Sequence, residues 1–243
     1  MTGKGYPWRD PDPPRIPLAN AMLELPFTTD QFFAVFREYN RAIWPAPVLA
    51  YVLGLLAVAL ATWKTTFSNW VISLILALSW LWIGLIYHGA HFSAINPAAY
   101  LFGILFVIQG ILFVLLPLRK TAWEFRFRRD AYGAVGAALI LYSMVIYPLL
   151  GAFSGHAYPN APMFGVAPCP SAIFTFGLLL WTVGRVPVWI LLIPGTWAAI
   201  GSTAAWKLGV AEDFGLLVAG LLGVALVVHR NRQLQKTGAM APA

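Results

Sequence analysis

The sequence is poor in charge and almost devoid of cysteine. Lys, Arg, Asp and Glu make up 10% of its 243 residues, and there is one cysteine. A soluble globule of this length needs far more polar surface, so that class is excluded. A single cysteine excludes an intramolecular disulfide and any Cys-x-x-Cys zinc or redox motif, and so does not reveal the compartment. No short apolar core followed by a small-residue cleavage site opens the chain, and no cleaved signal peptide is expected. There is no internal repeat.

What the chain has instead is apolar length. Hydrophobic residues make up 60% of it and the mean hydropathy is +0.73, which places it in a bilayer as an all-α helical bundle. Residues 1–21 carry Pro7, Pro11, Pro13, Pro14 and Pro17 among charged residues, the composition of a flexible tail. A single transmembrane domain is expected over 22–230, with a basic cytoplasmic tail over 231–243. Thr28 and Gln31 form a capping box, Phe27 staples onto Phe32, and the helix they open is amphipathic, as suits the membrane interface. Seven apolar segments follow, at about 43–62, 70–87, 98–116, 132–152, 171–184, 187–206 and 213–228, several near the ~20 residues needed to cross the hydrocarbon core. The fifth is too short to do so, the seventh is also short unless it extends back towards Glu212, and Pro194-Gly195 is expected to kink the sixth. Trp44, Trp63, Trp70, Trp123 and Trp206 fall near segment ends, where interfacial aromatics belong.

The net charge of +7 does not indicate nucleic acid, because the basic residues lie in loops and tails between apolar spans. With seven spans, and setting aside the N-terminal region, whose Lys4, Arg9, Arg15, Arg37 and Arg41 are balanced by five acidic residues, one set of loops and the C-terminal tail hold Lys64, Arg119, Lys120, Arg126, Arg128, Arg129, Arg185, Arg230, Arg232 and Lys236, and the opposite loops hold Lys207 alone. This asymmetry puts the C-terminus in the cytoplasm of a cell-membrane protein.

Tyr87 to Tyr100 joins two apolar segments and contains His88 and His91, spaced to share one helix face and so to bind one metal. Asn96-Pro97 reads as an N-cap followed by proline at the first helical position. The uncharged stretch from Ser154 to Pro170 holds His156 and Cys169, and its composition fits a segment folded back into the bundle. Cys169, set between two prolines before a short helix, feels a positive dipole end that favours thiolate. His88, His91, His156 and Cys169 are therefore candidate ligands for zinc or copper, with Glu38, Asp30 and Asn96 as further site candidates, all on the non-cytoplasmic face. A plainer reading makes the histidines interface anchors, Cys169 a small packed residue and Glu38 a partner of Arg41. Gln109, deep in the third segment, is expected to bond a neighbouring helix.

Arg37-Glu38-Tyr39-Asn40 with Ile43-Trp44-Pro45, His88-Gly89-Ala90-His91 through Asn96-Pro97-Ala98-Ala99, Gly155-His156-Ala157-Tyr158-Pro159, and Ala167-Pro168-Cys169-Pro170 with Ile173-Phe174-Thr175 resemble a family of bacterial multi-pass membrane proteins known only as a domain of unknown function. The resemblance runs from about residue 24 to 230. It implies one membrane domain in the bacterial inner membrane and transfers no catalytic role.

Three functions fit these residues. The first is a transition-metal-binding permease or transport-associated protein, with a metal ion or small-molecule cargo; its weakness is that no acidic or basic residue lies clearly within a span. The second is a membrane-embedded zinc hydrolase with Glu38 or Asp30 as base, although His229 lies across the membrane from the other histidines; a bis-histidine haem site is a variant. The third is an accessory subunit packed through Gly133, Gly136, Gly151 and the series from Gly215 to Gly223.

Overall fold

The structure, a computed structural model, describes residues 25–118 and 124–239. The proline-rich tail, Arg119, Lys120 and Trp123 lie outside the described residues. Among those described, the fold is eight helices and one two-residue strand pair. Helix α1 spans Thr29–Ala42 and α2 Ala46–Thr62. Helix α3 begins as Ser68–Trp82 and continues through a π-helical segment, Ile83–His91, to Ala94. Helix α4 spans Ala99–Leu115 with a last turn to Leu118, and α5 runs from Ala131 to Phe153 with a π-helical segment at Tyr142–Ile146. Helix α6 is Pro168–Leu180, α7 runs from Val188 to Leu208, and α8 opens with Ala211–Asp213 and continues as Phe214–Ala239.

Five helices, α3, α4, α5, α7 and α8, are long and apolar enough to cross a membrane, and a sixth is gained only if α1 and α2, bent by 84°, count as one span. Seven spans are therefore not confirmed; by length and composition the described helices supply five or six. The difference lies in α2 and α6. Helix α2 qualifies only as part of the bent pair, and α6, at 13 residues, rises only about 20 Å. Leu49, Val52 and Leu55 of α2, Leu101, Ile104 and Ile111 of α4, and Val218 and Leu221 of α8 are exposed, an outer apolar surface that suits lipid contact. Trp44, Trp63, Trp70 and Trp206 are exposed near helix ends, as interfacial tryptophans should be. Pro194 does not break α7, because it falls in the first α-helical turn, where its missing N–H removes no helical bond.

All 13 residues of α6 are buried. It packs against α3, α5, α7 and α8 and is the centre of the bundle, not a lipid-facing span. Two glycine contacts allow this depth. A Cβ at Gly136 on α5 would lie 2.8 Å from the Gly177 carbonyl oxygen on α6, and one at Gly223 on α8 would run into the Phe176 ring. Past its C-terminal end, Thr182–Val183 pairs antiparallel with Glu124–Phe125, and the buried Arg230 of α8 donates to the carbonyls of Leu179, Leu180 and Thr182.

The capping box at Thr28 and Gln31 is formed, and the Phe27 and Phe32 rings stack at 6.1 Å. The apolar face of α1 turns inward rather than into lipid. Phe36 stacks on Tyr87 at 5.0 Å and Phe32 meets Phe92 at 6.3 Å, so α1 lies across one end of the bundle against the π-helical end of α3. The segment between α5 and α6 does fold back. Tyr39 donates to the Val166 carbonyl at 2.7 Å, Asn40 to those of Pro159 and Ala161, and Ser79 to that of Gly165. Gln109 bonds the Ile190 carbonyl of α7, as expected.

Candidate functional site

Helix α1, the folded-back segment, the π-helical end of α3 and the α7–α8 turn meet at one end of the bundle. The α7–α8 turn determines what is found there. Gly209 closes α7 in the left-handed conformation at φ 71°, which suits a residue with no Cβ. The chain then reverses within Val210 and opens α8 with Glu212 and Asp213, both buried. The last span thus extends back past Glu212, the alternative that its short apolar run left open, and it carries two acids into the protein. The expectation that the spans hold no clear acidic residue is corrected here. Ala211-Glu212-Asp213 directly before an apolar run was the available signal, but it also reads as an ordinary acidic first turn.

The two carboxyl groups have different surroundings. Asp213 accepts a hydrogen bond from the buried Tyr147 hydroxyl, and the Cys169 thiol lies beside it. Glu212 is fully buried, and neither side-chain oxygen has a hydrogen-bond partner. His156 Nδ1 lies 3.7 Å from its Oε1. The His156 ring is fixed by stacking on Phe33 at 3.8 Å. Gly151 makes room for this carboxyl, since a Cβ there would lie 3.1 Å from Glu212 Oε1. A buried carboxyl group without a hydrogen-bond partner is costly and, within a span, marks function by default.

Asp213 and Cys169 line a cavity of about 300 Å³. Phe27, Phe32 and Phe36 of the α1 region, Tyr87 and Phe92 of α3, Phe102 of α4 and Trp197 of α7 supply its aromatic walls, Asn96 contributes an amide, and the exposed Lys207 stands at its rim. A second cavity of about 170 Å³, between α2, α3 and α6, is walled almost wholly by apolar groups.

The candidate metal ligands do not converge. Among the described residues no group of three or more His, Cys, Asp or Glu could hold a metal ion. His88 is fully buried among rings, with centroids 4.9 Å from Phe106, 5.0 Å from Tyr87 and 5.2 Å from Trp197, and neither ring nitrogen has a partner. His91 instead sits against Tyr39 at 5.0 Å, with Nδ1 3.0 Å from the Ile86 carbonyl. Three-residue spacing aligns side chains on an α-helix, but this segment is π-helical and its wider turn rotates them apart. His156 belongs with Glu212, and Cys169 has a carboxyl group as its neighbour rather than an imidazole.

The remaining candidates are also accounted for. Glu38 and Asp30 are exposed, and among the described residues Glu38 forms no ion pair with Arg41. Helix α4 starts at Ala99, two residues beyond the expected proline, yet Asn96 still accepts the Ala98 N–H at 3.1 Å and its side chain borders the cavity. His229 is exposed beside Gln233. The glycines proposed for assembly pack within the chain: Gly215 against Tyr142, Gly220 against Ala198 and Gly223 against Phe176.

No curated protein and no solved structure matches the chain. A family profile does, over residues 29–237, which include α1, the folded-back segment and the acidic turn. The chain, an apolar helical bundle with five to six potential spans, belongs to the family of unknown function DUF6064.

Proposed function

We propose that this protein is a transport-associated membrane protein that binds a small solute in the 300 Å³ cavity between α1, α3, α7 and α8. The observation that carries the reading is the Asp213 carboxyl group, 3% exposed, inside an otherwise aromatic chamber at the start of a span. Concave, mostly apolar sites with a few convergent polar groups are where small molecules bind, and buried acids in spans mark solute and ion pathways. Transport is kept from the sequence-based reading and the transition metal is not, because the donors needed for zinc or copper are dispersed. The zinc-hydrolase reading requires the same convergence and gains no support from the geometry.

Thermal unfolding of the detergent-purified chain against a panel of amphipathic solutes tests this. A solute present at 100 times its Kd stabilises the folded chain by about 2.7 kcal/mol, a shift of roughly 5–10 °C at this size. Ala204→Phe, which places a ring in the cavity, is expected to abolish the shift. If no solute stabilises wild type more than the filled variant, the chamber is a packing void and the reading fails. A solute that passes this test then goes to flux measurements in proteoliposomes.

A further inference from the structure

We propose that the solute class of this cavity is a small organic ammonium ion on an apolar body, its charge at Asp213 and its body among the rings. This rests on the reading of the cavity as a solute site. The first support is electrostatic. Asp213 is buried with only the Tyr147 hydroxyl and the Cys169 thiol against its carboxyl group, and among the described residues no Lys, Arg or His forms an ion pair with it. A carboxylate taken out of water is retained at least cost when a positive group completes it. Lys207, the one cation that lines the cavity among the described residues, is exposed on the last turn of α7 and already engaged in an interaction of its own. The interior therefore offers a negative group without a positive one, which disfavours anions and leaves a place for a cation.

The walls narrow the class further. Seven of the lining residues are aromatic, against three large aliphatic ones, Leu25, Ile200 and Leu208. An apolar solute would be served as well by leucine and isoleucine. Ring faces carry negative potential and attract a cation within about 6 Å of their centroids, most strongly for tryptophan. Tyr87 on α3 and Trp197 on α7 both line the chamber, so its aromatic wall is drawn from more than one helix. A bare metal ion gains little here, since the rings supply neither oxygen nor imidazole ligands. An alkyl or aryl ammonium uses both the carboxylate and the rings.

The test uses the full-length chain in detergent and three matched probes: radiolabelled 2-phenylethylamine as the cation, 2-phenylethanol as its neutral counterpart and 3-phenylpropionate as the anion, the last two read by competition. The amine is expected to bind at least tenfold more tightly than either. Asp213→Asn should weaken the amine at least tenfold while leaving the alcohol unchanged, and Trp197→Leu should also weaken the amine. Because the isostere comparison is made on wild type, it decides the matter even if a variant fails to fold. Alcohol or carboxylate binding as tight as the amine would show that the chamber takes solutes without preferring cations; the inference then falls and the solute-site reading stands. If the amine does not bind while another panel solute does, the inference is likewise overturned. If no solute binds at all, both readings fall.

Discussion

Asp130 shows how much a single side chain can do at the basic end of the bundle. It caps α5 by accepting the Gly133 N–H at 3.0 Å and it pairs with Arg128, which also donates to the Thr182 carbonyl. The Arg128 hydrogen bond holds the Asp130 carboxyl group below the usual carboxylate range. Because the folded value is depressed, the stabilisation is fully present above the unfolded value of about 3.9 and is lost as pH falls through the folded value. Asp130→Ala is expected to lower stability by about 0.5–2 kcal/mol at neutral pH, the usual worth of an N-cap. In thermal unfolding the gap between variant and wild type should narrow as pH is taken below 4; a gap that is unchanged would mean the charge of Asp130 contributes nothing. Features of this local kind were legible in the sequence where their signal is a short pattern, as with Thr28, Gln31 and the Phe27–Phe32 staple. His88 and His91 were misread because their alignment depends on helix type, and nothing in the residues Ile83 to His91 announces a π-helix. Glu212 was missed because its burial is imposed from outside, by Gly151 and His156, whose positions follow from tertiary packing.

Among the elements, α6 owes its position in part to compensation at its C-terminal end. A helix leaves its last carbonyls without partners, and in a fully buried helix water cannot supply them. Arg230 does so from α8, donating to Leu179, Leu180 and Thr182 and reaching Thr182 Oγ1 at 2.6 Å, where its charge also complements the negative end of the helix dipole. Arg230→Leu should therefore cost about 1–3 kcal/mol, since it removes the donor to the buried Leu180 carbonyl, while Leu179 keeps the Thr182 hydroxyl and Thr182 keeps Arg128. Arg230→Lys should retain part of this, because a single ammonium cannot match the planar fork. Arg232→Leu, on an exposed part of the same helix, should stay within about 0.5 kcal/mol. Denaturation midpoints in detergent compare the three, and equal losses for Arg230→Leu and Arg232→Leu would rule out the capping role. The sequence shows Ser171 to Gly184 as an apolar run too short to span, and that much is physical. It gives Arg230 only as one more basic residue at a span end, because composition cannot separate a guanidinium that reaches lipid headgroups from one inserted under a buried helix.

The arrangement of the whole molecule couples its two ends to charge. Lys64, Arg126, Arg128, Arg185 and Arg230 gather where α2 ends, α5 begins and the strand pair sits, while α1, the folded-back segment and the Glu212–Asp213 turn occupy the other end. Loop charge asymmetry sets orientation independently of the exact number of spans, so we expect the basic end to be cytoplasmic and the cavity end to face outward. The single cysteine makes this measurable. In a Cys169→Ser background, Ser154→Cys and Thr66→Cys place reporters on exposed positions separated by α3, α4 and α5. An impermeant maleimide added to intact cells should label the first, and the second only after permeabilisation; the reverse pattern would invert the orientation. A third reporter, Glu38→Cys, decides the status of the bent α1–α2 pair. If α2 crosses the membrane, Glu38→Cys is labelled together with Ser154→Cys; if the pair is re-entrant, it is labelled with Thr66→Cys. The first outcome gives six crossings of sufficient length and leaves the cavity, walled in part by α1, open to the outside. The second puts α1 on the cytoplasmic side, where it could not stack Phe36 on Tyr87 and Phe33 on His156, so a chamber built from those contacts would have to be abandoned with it.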